Sequence, residues 1–174
     1  MVNIILYGDL NDKKITKLLI SSLEGKCNIT HKTPDKLNSY IVKNSTSEIL
    51  IVETNTIKFI ESSNTIIIFK NIISNDIDLE IKNKVKIIVF SQNAKAITFL
   101  SNAKLQNIIT FGYKSTDTLT ASSFNNKKKM ISLQREIKAI NGKIIEPFEF
   151  SVKEKGELLN VLPVCGVLLL LHKL

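Results

Sequence analysis

The sequence has no tryptophan, three prolines, six glycines, two cysteines and a single arginine in 174 residues. Each shortage excludes something. So little proline and glycine excludes collagen-like and low-complexity classes, and 44% hydrophobic against 23% charged residues is too apolar for a disordered chain. Two cysteines, Cys27 and Cys165, cannot frame a disulfide scaffold and read as reduced, buried thiols. The opening residues, Met1 to Asp9, carry no basic flank and no long apolar stretch, so they do not read as a signal peptide. No hydrophobic run reaches the ~20 residues that a membrane helix needs. The longest, Leu158 to Leu171, is interrupted by Asn160, Pro163 and Gly166. The expectation is a cytoplasmic protein without membrane contact.

The scarcity of arginine also bears on charge. A net charge of +8 ordinarily raises nucleic-acid binding. Here every basic residue except Arg135 is lysine, and Lys, Ile and Asn dominate the whole chain. Nucleic-acid readers favour arginine forks and exposed aromatics, and neither is visible. The one basic run, Lys127-Lys128-Lys129, follows Asn125-Asn126 and reads as a solvated loop. Nucleic acid therefore ranks last among possible partners.

What the chain does have is a succession of short apolar runs. Val2–Tyr7, Tyr40–Val42, Glu48–Glu53, Thr65–Phe69, Val85–Phe90 and Asn107–Phe111 read as strands, most of them β-branched and apolar throughout, as in a covered parallel sheet. A helix fits Asp12–Glu24, with Ile15, Leu18, Leu19, Ser22 and Leu23 on one face, Asn11 or Asp12 as cap and Gly25 beyond its end. A second, short helix fits Ala94–Leu100. After Gly112 the character changes: Met130–Ala139 alternates, Asn141-Gly142 signals a two-residue hairpin, and Lys143–Val152 returns as a strand. Glu157–Leu174 is helical in period but apolar nearly all round, with Pro163 predicting a kink or a restart. The expected fold is α/β: a mainly parallel, P-loop-like sheet flanked by helices. It is read as one domain, with a parallel part (1–112), an antiparallel meander (113–156) and a final apolar helix (157–174).

Chemistry is expected in the loop after the first strand, at the carboxyl end of a parallel sheet beside a helix N-terminus. Gly8 to Thr16 has the length of a phosphate-binding P-loop, and Gly8 and Lys14 fit its spacing. Lys13 stands where the second glycine belongs, and Ile15 where the Mg²⁺-holding hydroxyl belongs. A side chain at the second glycine crowds the phosphates, and Asp9 and Asp12 put negative charge where they would lie. The candidate ATP-phosphate residues are Gly8, Lys13, Lys14 and Thr16; the other reading is a capped strand-to-helix turn. Glu53 and Asp76, each just past a strand, are the candidate carboxylates for Mg²⁺, the alternative being two solvated loop residues. His31 and His172 lack ligand spacing and read as surface residues, and Cys165 as an inert thiol.

Taken in order, these segments resemble the central, ATP-binding domain of the Mur ligase family, which joins amino acids to UDP-linked muramoyl precursors of the cell wall. Ile4–Gly8 through Leu18-Leu19 resembles its first strand, glycine-rich loop and helix. Ile49–Thr54 resembles the strand ending in a Mg²⁺-binding glutamate, which implies that role for Glu53. Asn71–Asp78 resembles the family's Asn-Ile-Gly-x-Asp-His-Leu-Asp stretch. Asn71 and Asp78 match, Asn75 replaces an aspartate and Asp76 the histidine. Ile108–Gly112 and Thr118–Ser123 resemble the strand and turn before the family's small antiparallel sheet, and Asn160-Val161-Leu162 the start of its Asn-Ala-Leu-Ala-Ala helix.

The departures point one way. The second glycine, the histidine and the modified-lysine segment of the family have no counterpart, and its flanking substrate and amino-acid domains are expected to be missing, so little preorganised charge is expected for phosphoryl transfer. The resemblance implies a degenerate, stand-alone domain, a pseudoenzyme of cell-wall (peptidoglycan) metabolism that acts through partner binding. The apolar helix 157–174 must be covered: the sheet is expected over one side, and either the sheet or a contact with a protein partner or a second copy over the other. The alternative is a residual ATP·Mg²⁺-binding protein, acting as a ligase or ATPase with a partner chain.

Overall fold

The computed structural model describes residues 1–23, 36–43, 48–82, 85–103, 105, 107–123, 129–153 and 156–174, and the backbone alone of 26–33 and 124. In chain order the first half contains β1 (Val2–Tyr7), α1 (Lys14–Ser22), β2 (Lys26–Thr33), β3 (Leu37–Lys43), β4 (Glu48–Thr54), β5 (Phe59–Ile60) and β6 (Thr65–Phe69). The second half contains β7 (Glu80–Ile81), β8 (Lys86–Phe90), α2 (Ala94–Asn102), β9 (Ile108–Gly112), β10 (Leu119–Phe124), β11 (Lys129–Leu133), β12 (Ile137–Lys138), β13 (Ile144–Ile145), β14 (Phe148–Val152) and α3 (Leu158–Leu170).

A single ten-stranded sheet runs in the order β14-β11-β10-β9-β8-β6-β1-β4-β3-β2. From β4 through β1, β6, β8 and β9 to β10 all neighbours are parallel, and the sheet turns antiparallel at both ends. The α/β class is therefore as expected, but the switch does not fall at Gly112. β10 still runs parallel to β9; β11 reverses, and β14, antiparallel to β11, runs in the direction of β10 again. The expected single strand over 143–152 is two, β13 and β14, split at Pro147, whose ring nitrogen has no proton to give a ladder. Asn141-Gly142 does close a hairpin, β12 onto β13, though not as a two-residue loop. The Gly142 N–H bonds Ala139 O at 3.1 Å and Gly142 takes φ +87°, a turn followed by a left-handed glycine.

Helices cover both faces. Ile4, Leu6, Ile49, Ile51, Ile66, Ile68, Ile88 and Phe111 form one core with Ile15 and Leu19 of α1 and with α3. Ile5, Tyr7, Ile67, Phe69 and Val89 form the other with Ala96 and Leu100 of α2. Period-two alternation along each strand makes that division. At α1, neither Asn11 nor Asp12 is the cap; Lys13 holds that position without a side-chain bond to the helix. Gly25 and residues 125–128 of the basic run lie outside the described residues, as do the side chains of Cys27 and His31. His172 is exposed, and Cys165 is buried. No helix among the described residues is long and apolar enough to cross a membrane.

The final helix narrows two expectations. Of the kink or restart expected at Pro163, the restart is absent: one helix runs from Leu158 to Leu170. Proline removes the donor to Leu159 O, and the Asn71 side chain reaches that carbonyl instead, at 3.5 Å. Nor does α3 keep an exposed stripe for a partner. Every residue from Asn160 to Leu170 is buried within the chain, against α1, β8, β9 and β10. The lack of a side chain at Gly166 brings Ile88 and Leu119 against the helix: a Cβ there would stand 3.1 and 3.2 Å from their Cδ1 atoms. Behind it, Ile140 donates its N–H to Leu170 O at 2.9 Å.

Candidate functional site

The carboxyl ends of β4, β1 and β6 lie side by side, with Leu6 opposite Glu53 and Tyr7 opposite Phe69. On β4, Ile49, Ile51 and Glu53 share the α1 face; on β6, Ile66 and Ile68 share it, and the same alternation carries it on to Lys70. Gly8, the next position of that face on the middle strand, has no side chain to stand between them. The Lys70 stem crosses the gap and its Nζ meets Glu53 Oε1 at 2.9 Å, with both side chains fully buried. A Cβ on Gly8 would sit 2.7 Å from Ile72 O and 2.8 Å from Lys70 Cβ, and Gly8 holds φ +146°, a conformation almost confined to glycine. Gly8→Ala is therefore expected to destabilise the fold by at least ~1–3 kcal/mol. A lower urea midpoint at unchanged slope is the result that checks it.

Other donors converge on the same carboxylate. Lys13 bonds Oε2 and Thr16 bonds Oε1, both from the start of α1. From β3, Tyr40 OH and Asn38 Nδ2 reach Oε2 at 3.1 and 3.4 Å. A carboxylate offers about four lone-pair sites, so Glu53 is saturated. Burial pushes its carboxyl up, but the hydrogen bonds from Lys13, Thr16 and Lys70 and the Lys70 charge outweigh that and hold it below the ordinary range.

Lys70 organises the loop above it. Besides Glu53, Nζ donates to Asp9 O at 2.9 Å and Asp12 O at 2.8 Å. Three acceptors take three protons, so the site holds the ammonium form. Burial draws its pKa below the ordinary lysine value, Glu53 opposes that, and the Lys13 charge adds to it. The loop's N–H groups face elsewhere: Asn11 N bonds Asp9 Oδ1 at 2.9 Å and Lys14 N bonds Asp12 Oδ1 at 3.2 Å. A phosphate cradle turns backbone N–H groups inward. This loop turns carbonyls inward onto a cation and uses its own carboxylates on two of its N–H groups.

Of the residues expected to bind ATP phosphates, Gly8, Lys13 and Thr16 come together around Glu53. Lys14 points away and pairs with exposed Glu157 at 3.5 Å. An open cavity of about 510 Å³ lies beside the loop, lined by Asp9, Asp12, Lys13, Lys14, Lys17 and Ile72 among others. Asp76 is not brought to Glu53. It is exposed and lines a separate open cavity of about 410 Å³ with Ala94, Lys95, Thr98 and Phe99 of α2. Asp78 is exposed and pairs with Lys58 at 3.2 Å, while Asn71 turns to α3. Among the described residues no three His, Cys, Asp or Glu side chains are grouped to hold a metal. A divalent ion at Glu53 would first have to displace its donors.

The residue that sequence reasoning missed is Lys70. A lone lysine directly after the apolar run Thr65–Phe69 reads as the end of a strand. The signal was its parity with Glu53 and Gly8, which needs the strand order to be seen. No protein-family model matches the chain, and no curated protein matches it significantly.

Proposed function

We propose that the chain is a Mur-ligase-like domain that does not itself transfer phosphoryl groups and acts by binding, in the cell-wall metabolism to which the sequence resemblance points. One observation carries the reading: the Lys70 ammonium lies under the first loop, bonded to the two carbonyls of Asp9 and Asp12 where a phosphate-binding loop would offer N–H groups. Phosphoryl transfer depends on positioned donors and metal-held charge. Here the loop cation and Glu53 satisfy each other instead. With α3 buried, binding falls to surfaces other than that helix.

The second reading, residual ATP·Mg²⁺ binding, is favoured by the three lysines that line the cavity beside the loop. Thermal melting with millimolar ATP, with and without Mg²⁺, separates the two. A nucleotide at a hundred times its Kd adds about 2.7 kcal/mol, or roughly 5–10 °C in a chain of this size. The expected result is no shift. A saturable rise in Tm would overturn the non-catalytic reading in favour of the second.

A further inference from the structure

We propose that Asp9 O, Asp12 O and Glu53 Oε1 form a site for a monovalent, ammonium-like cation, and that Lys70 is its resident occupant. The inference stands apart from the nucleotide reading, since it concerns only what the loop and Glu53 bind. The three oxygens lie 2.8–2.9 Å from Nζ and belong to two separate stretches of chain, β4 and the loop after β1. All the positive charge at their centre arrives on one side chain, threaded from β6 past a glycine. Two main-chain carbonyls and one carboxylate suit a singly charged ion of ammonium or potassium size. They suit Mg²⁺ poorly, since it demands octahedral oxygen geometry and keeps much of its water. Removing the lysine head while keeping the loop should leave this cage vacant, with Lys13 paired to Glu53 Oε2 and no cation on Oε1.

The test is rescue of Lys70→Ala by small cations. Melting of the variant is followed against increasing methylammonium, ethylammonium or potassium chloride, with tetramethylammonium chloride at equal ionic strength as the control. Lys70→Ala alone is expected to melt lower than the parent chain. The small cations should then raise its Tm saturably, by about 3 °C or more once the cation exceeds its Kd tenfold. The tetramethyl ion is too bulky to enter the cage, and its methyl groups prevent both oxygen coordination and hydrogen bonding, so it should do nothing beyond ionic strength, and the parent chain should respond equally to all the salts. An equal response of the variant to every salt would overturn the proposal. If Lys70→Ala does not fold, labelling of the native parent chain decides. Under a mild amine-directed acylating reagent, Lys70 should be the slowest of the lysines to react. Modification of Lys70 at the rate of exposed Lys14 or Lys17 would equally overturn it.

Discussion

Lys70→Met should lower stability by about 3 kcal/mol, near the low end of the 3–5 kcal/mol that breaking a buried ion pair costs. Methionine matches the length of the stem, so packing changes little and the loss is electrostatic. It strips Glu53 of one of two cations and leaves the carbonyls of Asp9 and Asp12 without their shared donor. Lys13 stays on the carboxylate, which keeps the loss at the lower end. For a chain of this size that corresponds to roughly 6–12 °C in Tm. The double variant Lys70→Met/Glu53→Gln isolates the charge term, because the amide keeps an acceptor for Thr16 and removes the buried charge. It should be more stable than the sum of the two single losses, by ~1–3 kcal/mol. Strict additivity, or a Lys70→Met chain as stable as the parent, would mean the pair does not hold the loop.

That pair shows where sequence reasoning reaches and where it stops. The parallel strands β1, β4, β6, β8 and β9 were legible because strands covered on both faces must be apolar at every position, and Ile-rich runs are hard to read otherwise. β2 was not legible: Lys26–Thr33 alternates polar residues with few apolar ones, and only pairing with β3 at the sheet edge makes it a strand. The direction of β10 was also hidden, since Thr- and Ser-rich runs suit either orientation and the parallel register of Leu119 with Phe111 is a long-range fact. The site was half legible. Gly8, Lys13, Thr16 and Glu53 were singled out from a motif, and the folded chain gathers them in one place. Their mutual purpose was invisible, because the spacing of a phosphate loop says nothing about a lysine that enters from the end of a neighbouring strand. Gly8 illustrates the difference. It was read as the first glycine of a phosphate loop, and its missing side chain serves as room for the Lys70 stem.

Leu162→Asp is expected to have the largest effect of any substitution considered, and it bears on how this domain binds. Leu162 is fully buried near the middle of α3, in the core shared by α1 and the central strands. A lone carboxylate there would have no donor of the kind that surrounds Glu53. Its desolvation would take up a large share of the ~5–15 kcal/mol that keeps a domain folded, so the variant should not accumulate as a folded species. Leu162→Ala, which removes packing without adding charge, should lose ~2–5 kcal/mol and still fold, with Tm lower by on the order of 10 °C. If α3 were instead a partner-binding face, both substitutions would leave the melting of the isolated chain nearly unchanged. Circular dichroism melts of the two variants distinguish the cases. A folded Leu162→Asp chain with parental Tm would return the helix to the surface and restore the partner contact that its apolar sequence left open.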